Sequence, residues 1–448
     1  MGAQVLVIGS GGREHALAYG LADSAKVEMI YVSPGNAGTA RLPKTKNVAL
    51  SDELATVNFC KENAIDLIVI GPEAPLVAGL SDALRKQNFT VFGASQAAAQ
   101  LEGSKSFATE FMQRNNISIP DSHIVTSVQE AQTAIQSFGG AMHSVIKADG
   151  LAGGKGVFLP DDDDEATSAI QKIVSGSVDG DGSRFVIQRR NHGPEVSVFV
   201  LSDGESYSII PLASQDHKRI GIGDTGPNTG GMGVYAPLPN SMLSDAQWQK
   251  IEHIALMSIK GMLIEGTPYQ GVLYIGIMLA EELDGDPIVI EYNARFGDPE
   301  TEVIIPLLQG NGVDIYDMLH ATASGSAQEV SIPKTLNGAA LTVCLAAAGY
   351  PNTPITGAVI DGLDEEYRDV IAFHGGTTIA GENVVTSGGR VLFVTGLGAT
   401  LQAASNAANS AIGATGIHFE GMQYRSDIGY RALAPPSVET VTKPNNKN

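Results

Sequence analysis

Residues 271–300 read GVLYIGIMLAEELDGDPIVIEYNARFGDPE. Two apolar runs flank Asp284-Gly285, a pair that tolerates tight-turn backbone, so the stretch predicts two antiparallel strands. A second pair, Asp203-Gly204, lies between EVSVFVLS and ESYSIIPLA and predicts another hairpin. Along a strand of period two, Glu291, Asn293 and Arg295 face one side. A carboxylate and an amide oxygen suit Mg²⁺, which takes few protein ligands and completes its shell with phosphates and water. Arg295 beside them could clamp an acyl phosphate or a transferring γ-phosphoryl group. The competing reading is a surface salt-bridge face. The polar turn Gly297-Asp298-Pro299 favours a site.

Upstream, VIKADGLAGGKGVFL (145–159) and RFVIQRR (184–190) are further strand regions. The glycine-rich stretch between Lys147 and Val157 is not a Walker-type loop. Gly156 stands where Ser or Thr would, and a strand follows in place of a helix. Flexible N–H donors at Gly153 and Gly154 still suit phosphate, with Lys155 as counter-charge and Lys147 flanking it; the alternative is a mobile surface hairpin. Lys105 adds a third cation at a helix start. The polar span SQDHKRIGIGDTGPNTGGMG (214–233) has little to bury, so it reads as a disordered segment or a substrate loop. Asp216, His217, Lys218 and Arg219 favour the loop. Asp161–Asp164, before a helical stretch, reads as a cap and solvated face rather than a calcium site.

Residues 1–100 alternate apolar runs with helical segments, and the runs end in GSGGREH (9–15), SPGNAGT (33–39), GPEAPL (71–76) and GAS (93–95). This alternation predicts a parallel sheet flanked by helices, with ligands beyond the strands' carboxyl ends. Glu14 occupies the third glycine position of a dinucleotide fingerprint, and no acidic residue follows the second strand, so a phosphate or sugar-phosphate site reads better than a nicotinamide site. A purely structural tight turn is the remaining alternative. Residues 331–430 form a third unit, with apolar runs near Ala340–Ala348 and Val391–Thr395.

The net charge of −21 argues against a broad nucleic-acid surface. Cys60 and Cys344, in apolar stretches, predict buried inert thiols. No run approaches 18 uninterrupted apolar residues and no signal region precedes the first strand, so a cytoplasmic enzyme is expected.

Taken in order, GSGGREH, PGNAGT, GPEAPLV, QLEGSK, VIKADGLAGGKGV, SQDHKR, DTGPNTGGMG and IEYNARFGDPE resemble the phosphoribosylamine–glycine ligase (glycinamide ribonucleotide synthetase) family. The resemblance runs from residue 3 to about 432, through GGRVLFVTGLG and RSDIGYRA. It implies an N-terminal parallel-sheet (pre-ATP-grasp) α/β domain over 1–102 and a central ATP-grasp clamp of two antiparallel-sheet subdomains over 103–330, its lid at about 123–195. A small C-terminal α/β domain over 331–434 and a disordered tail over 435–448 complete the expectation.

The implied reaction is ATP-dependent ligation of glycine to 5-phosphoribosylamine in purine synthesis, by a monomer. Lys105, Lys147, Gly153, Gly154 and Lys155 would meet the phosphates of ATP, Glu195 the ribose and Gln188 the base. Glu291 and Asn293 would hold Mg²⁺ or Mn²⁺. Arg295, Lys155 and Asp298 would serve the chemistry, with Asp298 on the glycine ammonium. Gly11, Gly12, Arg13, Asn36, Glu73, Asp216, Lys218 and Asn228 would hold the substrates. Two departures stand out. The segment joining the clamp halves reads Gln188-Arg189-Arg190-Asn191 where the family has Glu-Glu-aromatic-aliphatic, and Val272–Ala280 lacks a second metal carboxylate. The alternatives are a related ligase using bicarbonate or another amine, an idle nucleotide-binding regulator, and a nicotinamide dehydrogenase.

Overall fold

The computed structural model describes residues 2–151, 156–178, 180 and 182–433. The N-terminal sheet is parallel throughout, in the order Thr45–Asn47, Val27–Pro34, Ala3–Gly9, Leu67–Ile70, Val91–Phe92. Leu67–Ile70 is buried at every position, as expected of a central strand covered on both faces. The edge strand Thr45–Asn47 is not legible in the sequence, because three polar residues carry no apolar–polar alternation. The helix Gly12–Asp23 starts directly after the first strand, and Glu14 closes its N-terminus by accepting from Gly11 N at 2.6 Å.

Two antiparallel sheets follow. One runs Ser122–Val125, Phe185–Arg189, Ser144–Ala148, Val157–Phe158 and is backed by the helices Val128–Ser137 and Asp163–Val174. Those helices bury Ala131, Ala134, Ile135, Ala169, Ile170 and Ile173 in a small core of their own. Asp162 caps the second helix by accepting from Glu165 N (2.8 Å), so the acidic run is a cap as read. The other sheet, which we call the floor, runs Tyr207–Ile209, Glu195–Asp203, Gln270–Ala280, Asp286–Asn293. Both Asp-Gly pairs make its turns; the second follows a single 3₁₀ turn, with Asp284 and Gly285 at positive φ (54° and 80°).

Register in the floor shifts by one residue: Gly276 faces Glu291 but Ile277 faces Val289, leaving Ile290 as a bulge. The strand ends at Asn293, so Arg295 lies in the turn beyond it rather than on the strand face.

The last large sheet is antiparallel, in the order Gln215–Asp216, Gly233–Ala236, Ala339–Ala346, Arg390–Gly398, Val370–His374. It therefore joins strands from both sides of residue 330. The helix Leu401–Ser410 lies close on this sheet: a Cβ at Gly396 would stand 2.1 Å from the Ala404 carbonyl. The span 214–233 is ordered, folding as a two-stranded ribbon of Arg219–Gly221 with Thr225–Asn228. Cys60 and Cys344 are buried free thiols, and burial pushes Cys60 up to about 12. No described helix is long and apolar enough to cross a membrane. The expected tail, 435–448, lies outside the described residues.

Candidate active site

A cavity of about 640 Å³ lies between the floor and the sheet that contains Ser144–Ala148 and Phe185–Arg189, called the lid. Strand register places its polar lining: Lys147 and Gln188 come from adjacent lid strands, Glu291 and Asn293 from the floor's edge strand. Lys105 enters from the first turn of the helix Lys105–Arg114. That helix is capped by Ser104, and Asp149 accepts from Ser106 N and Ser104 Oγ at 3.1 Å each. Lys147 Nζ donates to the Ile290 carbonyl (2.8 Å), which the bulge exposes. Burial draws Lys147 down to about 8 despite the nearby Glu291 carboxylate.

Glu291 itself is opposed by burial, yet Lys218, Lys105, Lys147 and Arg295 hold it down at about 2, so it is ionised. Lys218 Nζ sits 2.8 Å from Glu195 and 3.5 Å from Glu291. The Asn293 amide, assigned from its hydrogen bonds, donates to Glu102 Oε1 (3.0 Å) and the Tyr292 carbonyl (3.2 Å). Oδ1 is then the amide atom turned away from Glu102. Glu291 and Asn293 thus supply two hard oxygen donors. Gly276 lies opposite, where a Cβ would meet Glu291 Cγ at 2.8 Å. Among the described residues no cluster of three His, Cys, Asp or Glu could form an all-protein cage. A site of this kind fits Mg²⁺ completed by phosphate and water.

Gln188 is buried, and its Nε2 donates to Ser122 Oγ (2.9 Å). Arg189 is drawn to Asp121 (3.1 Å) and lies over the Phe138 ring, while Arg190 pairs with Asp161 (3.4 Å). Gly153, Gly154 and Lys155 lie outside the described residues.

The same cavity continues to Arg13, Glu73, Asp216, Asn228, Asp298 and Arg390. Arg295 is fixed between Glu102 (2.9 Å) and Glu73 (3.2 Å). Arg13 Nε meets Glu14 Oε1 at 2.5 Å and its NH1 donates to the Phe296 carbonyl at 3.3 Å. Arg390 pairs with Asp298 Oδ1 (3.0 Å) and donates to the carbonyls of Asp298 (2.7 Å) and Gly230 (2.5 Å). Asp216 is half-buried, with its Oδ1 shielded from solvent, and desolvation followed by the charge of Glu300 raises it well above the usual carboxylate range.

A second cavity of about 540 Å³ adjoins the first, with Asp298 and Arg390 lining both. Gly11, Gly12 and Asn36 form one wall; Gly375, Gly376, Thr377 and Ser387, at the base of the hairpin Thr377–Ala380 with Asn383–Thr386, form the other. Two details refine the sequence reading here. Gly11 N is already taken by Glu14, so this turn does not offer all its donors to an anion. Asn36 donates to the carbonyls of Ser10 and His374 (2.9 and 2.7 Å) and accepts from Gly38 N and Thr39 N, so it pins the loops that shape the wall.

Arg390, Glu102, Glu300 and the segment 375–378 escaped sequence reasoning. Arg390 and Glu102 sit inside GGRVLFVTGLG and QLEGSK, but nothing local in those motifs reveals which cavity they reach.

Two antiparallel sheets closing on a lysine-lined cavity, with a carboxylate–amide pair on the floor, define a nucleotide-clamping fold of the ATP-grasp type. The chain belongs to the phosphoribosylglycinamide synthetase family, whose N domain matches residues 3–102, ATP-grasp (A) domain 103–301 and C domain 340–431. It is 45% identical to the phosphoribosylamine–glycine ligase of Vibrio cholerae over 436 residues, covering 96% of this chain and 99% of that one. An Escherichia coli O157:H7 protein of the same name is 44% identical over 436 residues, with the same coverage. The crystal structure of the phosphoribosylamine–glycine ligase from Thermotoga maritima superposes with a TM-score of 0.81 at 33% identity, covering 95% of this chain and 100% of that one. A biotin carboxylase from Campylobacter jejuni shares the fold at 15% identity and a TM-score of 0.71, covering 97% and 95%.

Proposed function

We propose that this chain joins glycine to 5-phosphoribosylamine, cleaving ATP to ADP and phosphate, as a step of purine synthesis. The observation that carries this reading is one continuous cavity from Lys147, Glu291 and Asn293 to Arg13, Asp298 and Arg390. Nucleotide phosphate, carboxylate and amine can meet there without leaving the protein. A carboxylate is a poor electrophile, so its oxygen first attacks the γ-phosphoryl group, giving glycyl phosphate and ADP. The amine of phosphoribosylamine then attacks the acyl carbon and expels phosphate.

Lys105 and Lys147 neutralise the nucleotide phosphates, a role that Gly153, Gly154 and Lys155 share. Gln188 reads the base and Glu195 the ribose. Glu291 and Asn293 would hold Mg²⁺ or Mn²⁺, which supplies Lewis acidity to the transferring phosphoryl group. Arg295, held rigid by two carboxylates, faces the charge that develops between phosphoryl and carboxylate without having to reorganise. Asp298, shared by both cavities, meets the glycine ammonium. Gly11, Gly12, Arg13, Asn36, Glu73, Asp216, Lys218 and Asn228 frame glycine and phosphoribosylamine, and the segment 375–378 faces the sugar phosphate. The chain works as a cytoplasmic monomer without a nucleic-acid partner, its three domains dividing near residues 102 and 330.

ADP release measured with each substrate omitted in turn tests the reading. Release should require glycine, phosphoribosylamine and Mg²⁺ together. Robust turnover on bicarbonate without glycine would overturn the assignment and leave the fold intact.

A further inference from the structure

The ribbon that carries Asn228 to the cavity cannot hold itself. A two-stranded ribbon is marginal alone, and this one has Thr225–Asn228 exposed throughout and Ile222 exposed at its tip. Its inner end is fixed independently: Asp216 pairs with Val234 in the C-terminal sheet, and Lys218 is held by Glu195. Its outer end is held by RSDIGYRA (425–432), far away in sequence.

Arg425 is fully buried. Its Nε and NH2 each donate to the Asp427 carboxylate at 2.8 Å, while NH1 donates to Asp224 Oδ1 (2.7 Å) and the Arg219 carbonyl (3.1 Å). Asp224, at the ribbon's turn with φ of 55°, also accepts from Tyr430 OH (2.9 Å) and Arg431 NH2 (2.8 Å). Asp427 Oδ2 accepts from Gly223 N (2.9 Å), and His217 Nε2 accepts from Gly429 N (3.3 Å). The holding segment is itself anchored by Ile428, which is buried against Gly233; a Cβ there would stand 2.7 Å from Ile428 Cδ1.

We propose that Arg425 is a positioning residue for the acceptor substrates, acting through Asp224 and the Arg219 carbonyl to keep Asn228, the cross-strand partner of Arg219, facing the cavity; Thr229 and Gly230 are held separately by the Lys218 carbonyl, Tyr350 OH and Arg390. This rests on reading the ribbon as part of the glycine and phosphoribosylamine site. A buried ion pair adds little net stability against an apolar substitute, but it fixes one geometry, because breaking it leaves an unpaired charge. Here the geometry fixed is that of a substrate wall, whereas the nucleotide end stands on separate supports.

The test uses Arg425→Lys and Asp224→Asn in the full chain. Asp224 is partly exposed, so its variant carries the test should Arg425→Lys fail to fold. The KM for glycine or phosphoribosylamine should rise about tenfold, short of the roughly hundredfold that a 1 Å misplacement of reacting groups can cost. Both kcat and the ATP Kd should stay within about twofold. Amides 219–228 should exchange faster with solvent, and those of 339–346 unchanged. Adding Asn228→Ala to Asp224→Asn should do no more than the larger single change, as expected of residues acting through one contact. Unchanged KM values in both variants, or equal damage to ATP binding, would overturn the proposal. If Asn228→Ala alone leaves both KM values unchanged, the acceptor-site reading of the ribbon fails, and the proposal with it.

Discussion

The two ends of the cavity are built in opposite ways. At the nucleotide end Glu291 and Asn293 stand two residues apart on one strand, and Lys147 and Gln188 lie diagonally on two paired strands, Lys147 opposite Val186 and Gln188 opposite Val145. At the acceptor end Arg13, Glu73, Asn228, Asp298 and Arg390 come from five remote segments, joined by loops of the N-terminal and C-terminal sheets. The first kind of site inherits its geometry from hydrogen-bonded register. The second depends on how separate bodies pack, so its affinity and stability should respond to contacts that touch no substrate.

The largest expected effect lies at the nucleotide end. Glu291→Ala should lower turnover by at least about a hundredfold, since losing a metal's Lewis acidity costs several kcal/mol. The melting temperature should barely move, because the side chain faces the cavity. Near-normal turnover would break the assignment of this strand to metal.

Next comes acid sensitivity at the acceptor end. His15 accepts from His374 N at 2.8 Å where the first helix meets the C-terminal sheet, and the rings lie 5.4 Å apart. Burial, then the charge of Arg41, lowers His374 from its usual 6.5 to about 4; burial, then His374, lowers His15 well below the same value. The unfolded chain therefore binds more protons between those values, so stability is full above 6.5 and is lost as pH falls towards 4. For His374 the loss is at most roughly 3 kcal/mol. Thermal melts from pH 7.5 to 4.5 should show it, and His374→Gln should flatten the slope. An unchanged slope in that variant would remove the histidine seam from the account.

Arg13→Ala should raise the KM for phosphoribosylamine about tenfold and leave the ATP Kd within about twofold. Arg13 is a cleaner probe than Glu73, which also steadies Arg295. Equal damage to ATP binding by calorimetry would erase the division between the two ends.

The smallest effect is at the base. Gln188→Glu should tighten ATP about fivefold, the roughly 1 kcal/mol separating a charged from a neutral acceptor. Arg189 and Arg190 already have partners in Asp121 and Asp161, so they are less free to draw an introduced carboxylate off the base. Unchanged ATP affinity would mean this side chain does not read the base.

What sequence could disclose follows the same division. Alternating strands and Asp-Gly turns disclosed the hairpins, and period two placed Glu291 and Asn293 together despite the Ile290 bulge just before them. Arg295 reaches the cavity from a turn, where periodicity carries no meaning. For the ribbon, disorder stands as the alternative to the favoured substrate loop in the sequence, because its support, Arg425, lies 201 residues from Asp224. Likewise Arg390 resembles any basic residue at a strand start until the fold brings it to Asp298. Long-range ion pairs leave no local pattern, and the acceptor end is made of them.

Glycine activation joins the two ends, and oxygen transfer tests it most directly. With glycine labelled by ¹⁸O in its carboxylate, the account predicts that each turnover delivers one labelled oxygen to inorganic phosphate, because that oxygen bridges to phosphorus in glycyl phosphate. Phosphate released without label during product formation would contradict attack by the glycine carboxylate on ATP.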